Sequence, residues 1–141
     1  LNTHPLWVET MAIAMPSHLR LFDHTKLTIA DLQDFPLYRW QAEICPLLDE
    51  RLASLMPAGQ ESIQRVSSFE MMALRVAAGY GVGVSARSRI QCARGWEINV
   101  RPLADGPYEI VTYLQRPHAQ ANAVAERFER RALQVARAGA T

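Results

Sequence analysis

Between Val8 and Met15 large apolar side chains recur at Met11, Ile13 and Met15, and alanines fill the alternate positions. That pattern predicts a strand buried on both faces. Pro16 and Ser17 end it, and Leu19 to Lys26 reads as a polar-interrupted loop. Thr28 followed by Asp31 has the spacing of a capping box, with Asp where Glu or Gln is usual. It predicts a short helix that stops near Asp34, because Pro36 disfavours helix at Phe35. Leu37 to Trp40 is a short strand. Pro46 suits the first position of a helix. That helix carries Leu48, Leu52 and Leu55 on one face, with Asp49, Glu50 and Arg51 outside, and Pro57 and Gly59 terminate it.

Ser62 to Ser67 is the next predicted strand. Ser67 or Ser68 then caps a helix over Phe69 to Ala78, which is apolar nearly all round and so expected to be largely buried. Gly79 is its C-terminal cap. Val82 to Ala86 is a strand, Ala86 to Ile90 one helical turn, and Trp96 to Val100 and Tyr108 to Gln115 are strands about a turn at Ala104–Pro107. The last helix, Ala119 to Arg137, is expected to turn Val124, Phe128, Ala132 and Val135 inward and to expose Glu126, Arg127, Glu129, Arg130 and Arg131. Strands alternating with helices predict an α/β fold with a mixed, mainly parallel sheet.

Composition narrows the function classes. The 141 residues are 49% hydrophobic and 21% charged with a net charge of +1, which fits a globular chain and gives no global attraction to nucleic acid or membrane. No apolar run approaches the ~18 residues of a membrane span. Cys45 and Cys92 are too few for a disulfide framework and fit a reducing, cytoplasmic setting. The chain opens on Leu1 without a signal peptide, and we expect it to be a piece of a longer one.

Gly79, Gly81 and Gly83 invite a dinucleotide reading, but they run from helix to strand. A phosphate would meet the carbonyl end of the helix, so a cap with tight helix–strand packing is the better reading. His4, His18, His24, His118 and the two cysteines have no metal-ligand spacing, and neither a nucleophile–base pair nor a cofactor motif stands out. We therefore expect no enzyme, metal or cofactor. In open α/β sheets ligands sit at the carboxyl ends of strands. Tyr38, Arg39 and Trp40 occupy such a place, where edge packing and a ligand role both stay open. Ser67, Ser68 and Phe69 occupy another, where helix capping and anion binding are compatible.

These pieces together carry a family resemblance. Pro5, Leu6, Trp7 and Glu9 precede the Met11–Met15 strand, and Pro16, His18 and Leu21 follow it. Asp31 and Leu32, then Phe35–Leu37, come next. Val66–Phe69 leads to Val76–Gly83, and Arg101–Asp105, Tyr113, Leu114 and Phe128 close the series. In order and spacing this resembles the C-terminal part of the effector-binding domain of LysR-type transcriptional regulators. Ala86 stands where that family often has proline, a departure that bears on the turn after the glycine-rich strand.

The resemblance implies a three-layer, periplasmic-binding-protein-like (type II) fold. Residues 1–8 would be a crossover segment from subdomain I, 9–105 effector-binding subdomain II, and 106–141 a strand and helix returning to an incomplete subdomain I. It implies that a small effector is sensed in a cleft between subdomains. Arg39, Trp40, Gln41, Ser67, Ser68 and Phe69 are the residues it offers there. Arg39 is expected to pair bidentately with an effector carboxylate, and Trp40 to pack against the effector's body. It also implies self-association as a homodimer or higher oligomer, and DNA contact only through a helix-turn-helix absent from this chain. The alternative reading is a stand-alone small-molecule-binding protein or enzyme on the same half-cleft.

Overall fold

The computed structural model describes residues 2–19, 26–40, 45–55, 63–118 and 122–139. Leu1, most of the Leu19–Lys26 loop, Gln41, the Pro57 and Gly59 stop, Ser62 and Ala119 lie outside them. The strands are β1 (Asn2–Pro16), β2 (Leu37–Arg39), β3 (Ile63–Arg65), β4 (Val82–Ala86), β5 (Ile98–Pro102) and β6 (Glu109–Arg116). The α-helices are α1 (Pro46–Leu55), α2 (Phe69–Ala77), α3 (Arg87–Gln91) and α4 (Ala123–Gly139). Short 3-10 turns cover Ile29–Leu32 and Arg94–Trp96.

The chain divides into two compact units, Thr10–Ile110 and the pair Leu1–Glu9 with Val111–Thr141. In the first, the sheet runs β3-β2-β4-β1-β5. β2 is parallel to both β3 and β4, with Tyr38 opposite Gln64 and Gly83. β1 is antiparallel to both its neighbours, with Ile13 opposite Val84 and Arg101. The mixed α/β sheet is thus as expected, but among β1 to β5 only the pairings of β2 with β3 and β4 are parallel. β1 runs antiparallel to both β4 and β5, because it enters from outside the strand–helix alternation.

The period of two along β1 sorts the core into two clusters. Met11, Ile13 and Met15 join Leu27, Ile29, Leu32, Leu37, Val82 and Val84 under Leu48 and Leu52 of α1. Ala12 and Ala14 face Phe69, Met72, Ala73 and Val76 of α2 and Ile90 of α3. The alanines let the helix approach closely, so the sheet is covered on both faces and the unit has three layers. Thr28 is bound back by Asp31, whose Oδ2 accepts from the Thr28 amide at 2.9 Å, as the capping-box spacing implied. Gly79 ends α2 at φ +86°, and a Cβ at Gly83 would lie 2.8 Å from the Met72 sulfur. Gly79 thus serves the helix cap and Gly83 a close helix–strand contact, while Gly81 lets the Pro36 carbonyl and Tyr38 approach where a Cβ would stand.

Three sequence expectations change. The α2 helix is not buried all round: Met71 and Leu74 are exposed. Asp49 is not on the outside of α1 but turns in toward β2. In α4, Val124, Phe128 and Val135 are 66%, 65% and 53% exposed, and the half-buried positions are Ala125, Glu129, Ala132, Leu133 and Ala136. Hydrophobic spacing located an apolar stripe correctly, yet the helix turns a neighbouring, alanine-rich stripe inward.

In this second unit, β6 pairs with β1, and Asn122 caps α4 by accepting from the Val124 amide at 2.9 Å. Glu129 takes His4 Nε2 at 2.7 Å and Arg116 Nε at 3.2 Å. The helix is therefore tied to its strands through Glu129, by an ion pair to Arg116 of β6 and a polar contact to His4 of β1.

Candidate functional site

Because β3, β2 and β4 are parallel, their carboxyl ends line one edge of the sheet. Trp40 leaves β2 there and Val66 to Ser68 leave β3, while β4 ends on Ser85 and Ala86 and passes straight into α3. This is the edge at which α/β sheets take ligands, since helix N-termini and loop amides gather there. Five of the six residues singled out from the sequence are at this edge, and Gln41 lies outside the described residues.

Trp40 is held by two contacts. Its indole N–H donates to Ser85 Oγ at 3.0 Å. Its ring meets Phe69 edge-on, with centroids 6.1 Å apart and planes at 74°. Phe69 is the first residue of α2 and is buried. Before it, Ser68 is extended at φ −152° and accepts the Met71 amide on its hydroxyl at 3.1 Å, so its side chain is a working N-cap. Ser67 is exposed beside it.

Arg39 goes the other way. Successive strand residues alternate faces, so Trp40 turns toward α2 while Arg39 turns under α1. Its guanidinium is fully buried, with Nε 2.6 Å from Asp49 Oδ1. Arg65 reaches the other Asp49 oxygen at 3.9 Å. Burial pulls the Arg39 guanidinium down from its ordinary value, and the adjacent Asp49 charge opposes that shift. The carboxylate expected to meet Arg39 from a bound effector is thus supplied by α1. Sequence reasoning misplaced this pair because polar spacing marked Asp49 as solvent-facing.

Two residues that the structure brings to this edge were missed. Ser85, at the end of β4, anchors Trp40. Arg89 of α3 places its guanidinium 4.7 Å above the Phe69 ring and reaches Glu70 Oε1 at 3.1 Å. A strand end followed at once by a short helix was the available signal, the same one that singled out Arg39 and Ser67. Among the described residues no grouping of three or more His, Cys, Asp or Glu is placed to hold a metal ion, and Cys45 and Cys92 are free thiols. No described helix is long and apolar enough to cross a membrane.

The chain matches the family described as the LysR substrate binding domain over residues 1–137. No curated protein sequence matches it. Among solved structures it is similar to the BenM effector binding domain with its effector benzoate, at 17% identity and a TM-score of 0.76, covering 99% of this chain and 65% of that one. The QuiR effector binding domain in complex with shikimate gives 17% identity and a TM-score of 0.76 over 96% of this chain and 65% of that one. A full-length OxyR from Pseudomonas aeruginosa gives 22% identity and a TM-score of 0.65 over 96% of this chain and 48% of that one. The chain thus spans 65% of those two effector domains and 48% of that whole regulator. At these identities the structural likeness speaks to fold, while the family match covers nearly the whole sequence. The chain belongs to the LysR substrate-binding domain family, the effector-binding domains of LysR-type transcriptional regulators.

Proposed function

We propose that this chain is the ligand-sensing and oligomerisation portion of a cytoplasmic LysR-type regulator, without a catalytic step of its own. Thr10–Ile110 acts as the effector-binding subdomain, and the remaining segments return to the other subdomain. A small anionic effector binds at the carboxyl ends of β3, β2 and β4. Ser67 and the amides of the first α2 turn receive its polar group, Trp40 and Phe69 its apolar body, and Gln41 is a candidate contact on the family resemblance alone. Arg39 belongs to this site as a positioning residue, fixing the end of β2 through Asp49. DNA contact is made by a helix-turn-helix outside these residues. Val124, Phe128 and Val135 supply apolar surface for self-association.

The observation that carries this reading is the convergence of Trp40, Ser67, Ser68 and Phe69 on one strand edge. Related effector domains with bound benzoate and shikimate share the fold. A thermal-shift panel of small carboxylates, benzoate and shikimate included, tests it. At least one compound is expected to raise the melting temperature by a few degrees at saturating concentration. Ser67→Ala combined with Trp40→Ala is expected to remove that shift. A panel with no active compound, or a shift that persists undiminished in the double variant, refutes the assignment.

A further inference from the structure

An anionic effector at this edge needs a cation, and the chain offers several. Arg39 is fully buried against Asp49 under α1, on the opposite face from Trp40 and Phe69. Arg65 stands beside it in register and shares Asp49. Arg75 lies over Tyr38 from the last turn of α2, the wrong end of the helix. Arg89 differs from all three. It lies just beyond the carboxyl end of β4, on the α2 face, with its guanidinium stacked on Phe69. Its ion pair with Glu70 is open to water, the two side chains being 48% and 61% exposed.

Exposure decides what each arginine can do. The Arg39 pair is desolvated already, and opening it would strand a buried charge. The Arg89–Glu70 pair is screened and contributes little, so an incoming anion can replace the Glu70 carboxylate without stranding anything. The contact with the Phe69 ring, 4.7 Å from guanidinium carbon to ring centre, restrains the Arg89 side chain in advance, and a guanidinium suits a two-point partner such as a carboxylate.

We propose that Arg89 is the specificity-determining cation of this site. It selects small carboxylates over their neutral isosteres, and Glu70 is the internal competitor that the effector displaces. This rests on the effector-site reading above. It adds a residue that reading does not contain.

Benzoate and benzamide, one shape with and without the charge, test it on this chain. The readout is the amide NMR signals of Ser67, Ser68 and Phe69 during titration. In the unmodified chain benzoate is expected to move these signals at lower concentration than benzamide. Arg89→Gln should weaken benzoate about tenfold, as loss of a charge-assisted hydrogen bond does, and leave benzamide unchanged. Glu70→Gln should strengthen benzoate about twofold, a gain no structural role of Arg89 would give. Equal benzoate binding with and without Arg89 overturns the proposal and leaves the site standing. Movement by benzamide with no preference for benzoate in the unmodified chain likewise overturns Arg89 alone. Absence of movement with either compound overturns the proposal, and overturns the site with it where the wider carboxylate panel is silent too.

Discussion

The two compact units of this chain are held together by different physics. In Thr10–Ile110 the sheet is covered on both faces, and Leu48, Leu52, Met72 and Val76 are buried completely. In the unit built from Leu1–Glu9 and Val111–Thr141, no residue of α4 is fully buried, and Val124, Phe128 and Val135 are exposed. What ties α4 to the strands is the Glu129 carboxylate, gripped by His4 and Arg116. Burial of apolar area is the larger and less salt-sensitive source of stability. The unit carrying the candidate site is therefore the rigid one, and the α4 unit is the softer partner.

Both units contain a carboxylate held between two nitrogen-bearing side chains, so substitutions at the carboxylate contrast them most directly. The largest effect is expected at Asp49→Ala. It leaves the Arg39 guanidinium buried without its carboxylate, a change that costs about 3–5 kcal/mol. Urea denaturation followed by circular dichroism checks this. Joint replacement, Arg39→Met with Asp49→Leu, should recover most of the loss, because removing both charges removes the desolvation cost. A loss at Asp49→Ala no larger than that of an exposed pair would show that water reaches Arg39. The three-layer account of the unit would then fail.

Glu129→Gln makes the matching cut in the other unit. His4 and Arg116 are 40% and 33% exposed, so each can be rehydrated when the carboxylate goes. The expected cost is about 1 kcal/mol or less, and it should shrink further in high salt. Hydrogen exchange localises it: α4 amides should exchange faster while those of Met11 to Met15 stay protected. A loss spread evenly over both units would erase the contrast drawn here.

The same contrast explains what could be read in the sequence. Met11 to Met15, Thr28 with Asp31, Pro46 and Gly79 were legible because each is a local rule: a period of two, a cap spacing, a proline, a positive φ. Burial on both faces followed directly from the alternation of methionine or isoleucine with alanine. The orientation of α4 was not legible. Val124, Phe128 and Val135 form the more hydrophobic stripe, while the stripe turned inward is mostly alanine with Glu129 and Leu133. Periodicity ranks stripes by hydrophobicity and knows nothing of which ion pair orients the helix. For the site, strand ends pointed to Trp40 and Ser67–Phe69. The pairing of Arg39 with Asp49 joins a strand to the next helix, so no residue-by-residue pattern reveals it. Ser85 and Arg89 sit at the third parallel strand end, and their relevance appears only once the order β3-β2-β4 is known.

The smallest expected effect is on Tyr108, at the rim of the Thr10–Ile110 unit. Burial raises its phenol above the ordinary tyrosine value, and the nearby Asp105 charge adds to that, with Arg51 opposing. The folded state therefore favours the neutral phenol. Its contribution is fully present below the unfolded tyrosine value of about 10, and is lost as pH rises through the higher folded value. The urea midpoint should accordingly fall more steeply between about pH 9 and about pH 11 in the unmodified chain than in Tyr108→Phe. The substitution keeps the backbone bond in which the Tyr108 carbonyl accepts the Met11 amide at 2.8 Å, so only the phenol is under test. Parallel slopes in the two proteins would mean that Tyr108 ionises as freely folded as unfolded. The protected character assigned to the Thr10–Ile110 unit would then stop short of this rim, and the line between the firm and the soft parts of the chain would have to be drawn nearer to β1.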